Sequence, residues 1–94
     1  MEPKQIEEIM EVIKEFFPEN TSIAISDTNE YIYYQPSKKV DLKIKPGDPI
    51  KEGSAAYKAL TYGQKINSYI ESDVFGVPYY GMSIPLIEEG ETKG

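Results

Sequence analysis

The chain has 94 residues, 39% hydrophobic and 28% charged, with eight Tyr and three Phe, enough apolar surface for one small core and too much for a disordered chain. Ten Lys and no Arg stand against sixteen Asp and Glu, giving a net charge of −6; such a surface repels nucleic-acid and lipid phosphates and lacks the side chain best suited to bidentate phosphate contacts. With no His and no Cys, neither a Ser-His-Asp triad, a disulfide nor a thiolate metal site can be built.

From Gln5 to Phe17, the residues Ile6, Ile9, Met10, Ile13, Phe16 and Phe17 recur at three- and four-residue steps, the spacing of one helical stripe. Pro3 suits a first helical turn, acids crowd its positive end, and Pro18, lacking an N–H, ends it. Acids interrupt every apolar step, so the segment has neither the core of a signal peptide nor a membrane span. The stripe needs a cover, and two are open: the chain's own sheet, or the same helix of a second copy in a homodimer.

Thr21 to Ser26 alternates Ile23 and Ile25 with small residues, as a half-buried strand does. Asp27-Thr28-Asn29-Glu30 is turn chemistry, and Tyr31 to Gln35 is aromatic and β-branched, so the two runs read as a hairpin with a four-residue loop. The proline-rich stretch from Pro36 to Pro49 reads mainly as a loop, although Val40, Leu42 and Ile44 alternate in a way that permits a short edge strand. Ser54 as N-cap and Gly63 as left-handed C-terminal residue bound a short helix ending near Tyr62, with Ala56, Leu60 and either Tyr57 or Ala59 inward.

Gln64 to Glu71 alternates with Ile66, Ser68 and Ile70 on one face, and Ser72, Asp73 and Gly76 punctuate a turn. Tyr79 to Ile87 then reads as a strand with Tyr80, Met82, Ile84 and Leu86 on one face, and Pro85 requires an edge or a bulge near its end. The closing EEGETKG is a turn that in a meander leads into a further strand, for which no residues are expected here. The order helix, strand, strand, helix, strand, strand is that of a single α+β domain over 1–94, with an N-terminal helix over 1–18 and a body over 21–94.

The acids lie mainly in surface runs such as Glu7-Glu8 and Glu88-Glu89, a solvated face that keeps the chain soluble. No enzyme activity and no cofactor are therefore expected. KPGDPIKEGS, Lys45 to Ser54, lacks phosphate-loop spacing and reads as a connection that caps a helix. A second reading gives that helix start, beside Lys51, a small carboxylate ligand. The tyrosines also have two readings: core filler with hydroxyls at the rim, or the aromatic wall of a ligand pocket.

Two stretches carry a resemblance: SIAISDTNEYIYYQPSKKVDLKIKPGDPIKEGSAAYKAL followed by Gly63, and FGVPYYGMSIPL from Phe75 to Leu86. The segment from Thr21 through Leu86 resembles the sensor modules that precede the signalling helices in soluble-type methyl-accepting chemotaxis proteins of bacteria. The resemblance implies a PAS-like fold, an antiparallel sheet with short helices on one face and a ligand space between them. It also implies a last strand after an ENGE-type turn, lying in the middle of the sheet. Without that strand two edges are left unpaired, so either direct closure of the gap or strand donation from a second copy is expected. No binding residue carries over from the family. The helix and sheet faces that would enclose a pocket contain Tyr33, Ser54, Tyr57 and Tyr80. Haem finds no His or Cys ligand, and a flavin-cysteine adduct has no cysteine.

The leading expectation is a cytoplasmic sensory domain that binds a small molecule and relays the signal to attached helices, as a homodimer formed by strand or helix exchange. Nucleic acid and membrane insertion are not expected. The alternative is a ligand-free dimerisation or protein-interaction module. A small carboxylate- or lysine-based enzyme is a third reading, which would bury a pair of acids or a lysine in a cleft.

Overall fold

The computed structural model describes residues 3–17 and 20–94. Helix α1 (Pro3–Ile13) continues into a single 3-10 turn over Lys14–Phe16, and Phe17 is extended at φ −105° and ψ 149°. The helix stop assigned to Pro18 lies outside the described residues. The apolar stripe divides along its length. Ile6 and Met10 are buried and Ile13 packs beside them, whereas Ile9, Phe16 and Phe17 face solvent together with Val12.

The buried part of α1 covers the first hairpin. Strands β1 (Ile23–Ser26) and β2 (Tyr31–Gln35) pair antiparallel from Ile23 opposite Gln35 to Ser26 opposite Tyr31, with an irregularity between Ile25 and Ser26. Asp27 closes the turn because its Oδ1 accepts from the backbone N–H groups of Asn29 at 2.7 Å and Glu30 at 2.8 Å. Ile6, Met10 and Tyr33 form a core cluster with Ile13, Ile23, Ile25 and Ile32 packed against it. Burying a side chain of this size stabilises the fold by roughly 1.5–3 kcal/mol.

Between residues 36 and 50 no strand forms, and the lone bridge of Glu30 to Pro49 is the nearest approach to one. Backbone bonds from Tyr31 N to Asp48 O at 2.9 Å and from Gly47 N to Tyr31 O at 2.8 Å hold its far end to β2. Helix α2 (Ala55–Tyr62) starts where the Ser54 hydroxyl accepts from Tyr57 N, and it stops where Gly63 takes a left-handed φ of 63°. Both ends agree with the sequence, but the buried line is Ala55 and Ala59 rather than Ala56 and Leu60, which are half-buried.

Helix α2 packs on the second hairpin, β3 (Ile66–Ile70) and β4 (Tyr79–Ser83). Their register runs from Ile66 opposite Ser83 to Ile70 opposite Tyr79. A one-turn helix, α3 (Ser72–Phe75), occupies the connection that reads as a turn in sequence. Ile70 is buried, and Gly81 lets α2 approach: a β-carbon there would stand 2.8 Å from that of Ala55.

The long last strand expected from Tyr79 to Ile87 is broken. After β4 the chain leaves strand geometry at 84–86, which include Pro85, and then a two-residue strand β5 (Ile87–Glu88) returns as β6 (Glu91–Thr92). Glu89 and Gly90 both have positive φ, 52° and 80°, as a two-residue type I′ turn demands. Bonds from Leu86 N to Gly94 O and from Lys93 N to Leu86 O, both 2.7 Å, extend the ladder. The closing turn thus does deliver a short return strand, because Glu-Gly supplies the turn geometry.

The architecture is α+β, built of helices on small antiparallel sheets, each two-stranded. Among the described residues β1 pairs only with β2, and β4 only with β3. Of the two outcomes expected in sequence, direct closure of the gap or strand donation from a second copy, the first is not seen among the described residues.

Candidate functional site

The β1–β2 turn, the segment before α2, one face of α2 and strand β6 enclose an open groove of about 410 Å³. The Ile50 N–H donates to the Asn29 carbonyl at 3.2 Å, which ties the turn to the chain entering α2 and fixes one wall. Tyr57, Leu60 and Thr61 stand at the i, i+3, i+4 spacing that shares a helix face and form the second wall. Thr28 and Asn29 come from the turn, and Thr92 closes the far side. A second open groove of similar size runs between α1 and β2, lined by Glu7, Glu8, Glu11, Tyr33 and Gln35.

The four residues expected to line a pocket do not converge. Tyr33 is buried in the cluster beneath α1. Ser54 is 1% exposed and used structurally: its hydroxyl donates to Lys51 O at 2.7 Å and accepts from Tyr57 N at 3.1 Å. Tyr57 lies in the groove, 38% exposed. Tyr80 is 86% exposed on the outer face of the second hairpin, its ring 5.0 Å from that of Tyr69. Met82, Ile84 and Leu86 are exposed as Tyr80 is, whereas Tyr79, Gly81 and Ser83 alternate inward.

The start of α2 is tied down by its surroundings. Lys51 donates to Val74 O at 3.1 Å and sits 5.1 Å from the centre of the Phe75 ring, so its ammonium serves the connection over α3. Burial raises the hydroxyl pKa of Tyr31, with Ser54 acting the other way, and burial likewise raises that of Tyr79. Both phenols are neutral near pH 7. Among the described residues no group of three or more acids converges as a metal site would require.

Thr28, Asn29, Ile50, Thr61 and Thr92 escape sequence reading because each has a sufficient local role in a turn, a cap region or a strand. The i, i+3, i+4 set on α2 is the signal that sequence does contain. No described helix is long and apolar enough to cross a membrane.

Comparison with known proteins gives one informative likeness. Over 71 residues, 76% of this chain, the sequence is 34% identical to the protein of Bacillus subtilis (strain 168) named "Putative sensory transducer protein YfmS". Those residues make up 25% of that protein, so the chain spans about a quarter of the length of the curated relative it matches. No protein-family model and no solved structure matches the chain. In sequence, three quarters of the chain is thus similar to part of a protein named as a sensory transducer.

Proposed function

We propose that this chain is a PAS-like sensory domain of a cytoplasmic signal-transducing protein of the chemotaxis-transducer type. It binds a small molecule, performs no chemistry on it, and passes its occupancy to attached signalling helices. The observation that carries this reading is the 34% identity to a sensory transducer protein over most of the chain. The order of helix, hairpin, helix and hairpin supports it, as does the groove that the β1–β2 turn, α2 and β6 share. A ligand touching all three would stabilise one relative placement of them, and a shift of that kind is what a sensor must transmit.

The test is a thermal-shift screen of the chain against small metabolites, with hits checked by native mass spectrometry. The expected result is a compound that raises the melting temperature in proportion to its concentration and is retained at one per chain. A screen with no such compound removes the ligand from the proposal.

A second reading, a ligand-free dimerisation module, is favoured by one feature: Ile9 and Val12 on α1 and Phe16 in the 3-10 turn that follows it lie exposed. For this reading, native mass spectrometry shows a dimer and no bound small molecule.

A further inference from the structure

The groove beside α2 differs from the rest of the surface in its chemistry. Although charged residues make up 28% of the chain, none lines the groove among the described residues. Ile50 and Leu60 supply apolar area, and around them stand the Thr28, Thr61, Thr92 and Tyr57 hydroxyls and the Asn29 amide. None of these five side-chain polar groups makes a hydrogen bond within the described residues. Hydroxyls both donate and accept, and an amide does so with separate atoms, so the set offers both kinds of partner over a short span.

We infer that the groove is a binding site for an uncharged, polyhydroxylated ligand with one apolar face, of the size of a monosaccharide or cyclitol. This inference rests on the sensing role proposed above. An anion is disfavoured twice: the chain carries a net charge of −6, and no lining cation offsets the loss of the anion's hydration. A cation finds no lining carboxylate. A purely apolar ligand would cover five hydrogen-bonding groups without replacing their water. A polyol does replace it, while its C–H face lies on Ile50 and Leu60. About 410 Å³ accommodates such a ring. Because the groove is open, binding is weak, with dissociation constants of about a millimolar.

Thr92 gives the site a means of transmission. It is in β6, the strand whose ladder continues through Lys93 and Gly94, and the Gly94 backbone approaches that of Ser26 so closely that no side chain fits between them. A ligand bonded to both Thr28 and Thr92 therefore spans the β1–β2 turn and the return strand.

The test is an amide-resolved NMR titration of the full chain with D-glucose and myo-inositol, alongside D-glucuronate and D-glucosamine as charged rings of the same size. The expected result is saturable shifts at Thr28, Asn29, Thr61 and Thr92 with a neutral probe, and binding at least about tenfold weaker for both charged rings. Thr61→Val, at an exposed position, should weaken neutral binding about fivefold, the effect of one neutral hydrogen bond, at unchanged melting temperature. The inference is overturned if neutral probes leave those four amides unsaturated, if a charged ring binds there as tightly, or if Thr61→Val binds like the parent. A charged ring that saturates amides elsewhere overturns the groove assignment while ligand sensing stands.

Discussion

The Tyr34 hydroxyl donates to Asp41 Oδ1 at 3.0 Å and accepts from the Leu42 N–H at 2.7 Å, fastening the 36–50 connection to β2. The same carboxylate oxygen accepts from Lys43 N at 2.9 Å, and Lys43 holds a left-handed φ of 58°. One phenol oxygen thus organises a turn that no strand pairing supports. Tyr34→Phe leaves the Leu42 N–H without its partner and should cost about 1–2 kcal/mol. Urea unfolding measures the loss, and hydrogen exchange should quicken first at Leu42 and Lys43. Unchanged exchange at both would show that the loop is ordered by something else.

Acid should loosen the chain through two aspartates. Backbone N–H groups of Asn29 and Glu30 hold the Asp27 pKa below its ordinary value of 3.8, and the Lys43 N–H and the Tyr34 hydroxyl do the same for Asp41. A carboxyl with a folded-state pKa below its unfolded one contributes stability that is fully present above the unfolded value. That contribution disappears as pH falls through the folded value. Stability should therefore decline as pH drops below the ordinary carboxylate range. Asp27→Asn with Asp41→Asn keeps a side-chain oxygen at each turn and removes its titration. The doubly substituted chain should show a shallower acid slope in melting temperature against pH, and an equal slope would assign the acid response to other groups.

Gly81 is a packing position. A β-carbon at Gly81 would meet the Ala55 β-carbon at 2.8 Å and the Tyr79 ring at 3.0 Å, and Ala55 sits in the first turn of α2. Gly81→Ala forces α2 away from β4 and should cost about 1–3 kcal/mol, the range for overpacking. In a double-mutant cycle, Ala55→Gly should recover part of that loss, because the two changes act on one contact. Strict additivity would mean that the helix and hairpin do not meet there.

The same contact explains what sequence could and could not reveal. Ser54 and Gly63 bound α2 correctly because a cap is a local matter of one hydroxyl and one left-handed residue. The Asp27 turn and the periodicity of α1 are local in the same sense. Strand alternation, by contrast, yields two candidate faces for β4, and hydrophobicity selects Tyr80, Met82 and Ile84. The structure turns the other face inward because Gly81 leaves room for a helix, and small residues at Ala55 and Ala59 become the contact. That preference depends on a partner element distant in sequence, which no local pattern encodes. The groove residues were hidden for a similar reason: Thr28 and Thr92 are 64 positions apart and meet only through the hairpin at Glu89 and Gly90.

Helix α1 leads to the last prediction. With Ile6, Met10 and Ile13 turned to the sheet, Ile9 and Val12 stay exposed on α1, and Phe16, 81% exposed, follows them in the 3-10 turn. Such exposed apolar side chains are what the same face of a second copy would cover. Glu8, Glu11 and Glu15 lie alongside, and the ion pair of Lys14 to Glu11 at 3.1 Å offsets only part of that charge, so like charges oppose the pairing. Self-association should therefore be weak at low ionic strength and strengthen as salt rises from about 50 mM to about 500 mM, when the screening length falls below about 5 Å. Sedimentation velocity over a concentration series reads this directly. Phe16→Glu should abolish the association without lowering the melting temperature of the dilute monomer, because its ring is 81% exposed. A monomer at every concentration and salt, or a Phe16→Glu chain that associates like the parent, would leave this face of α1 without a role in pairing.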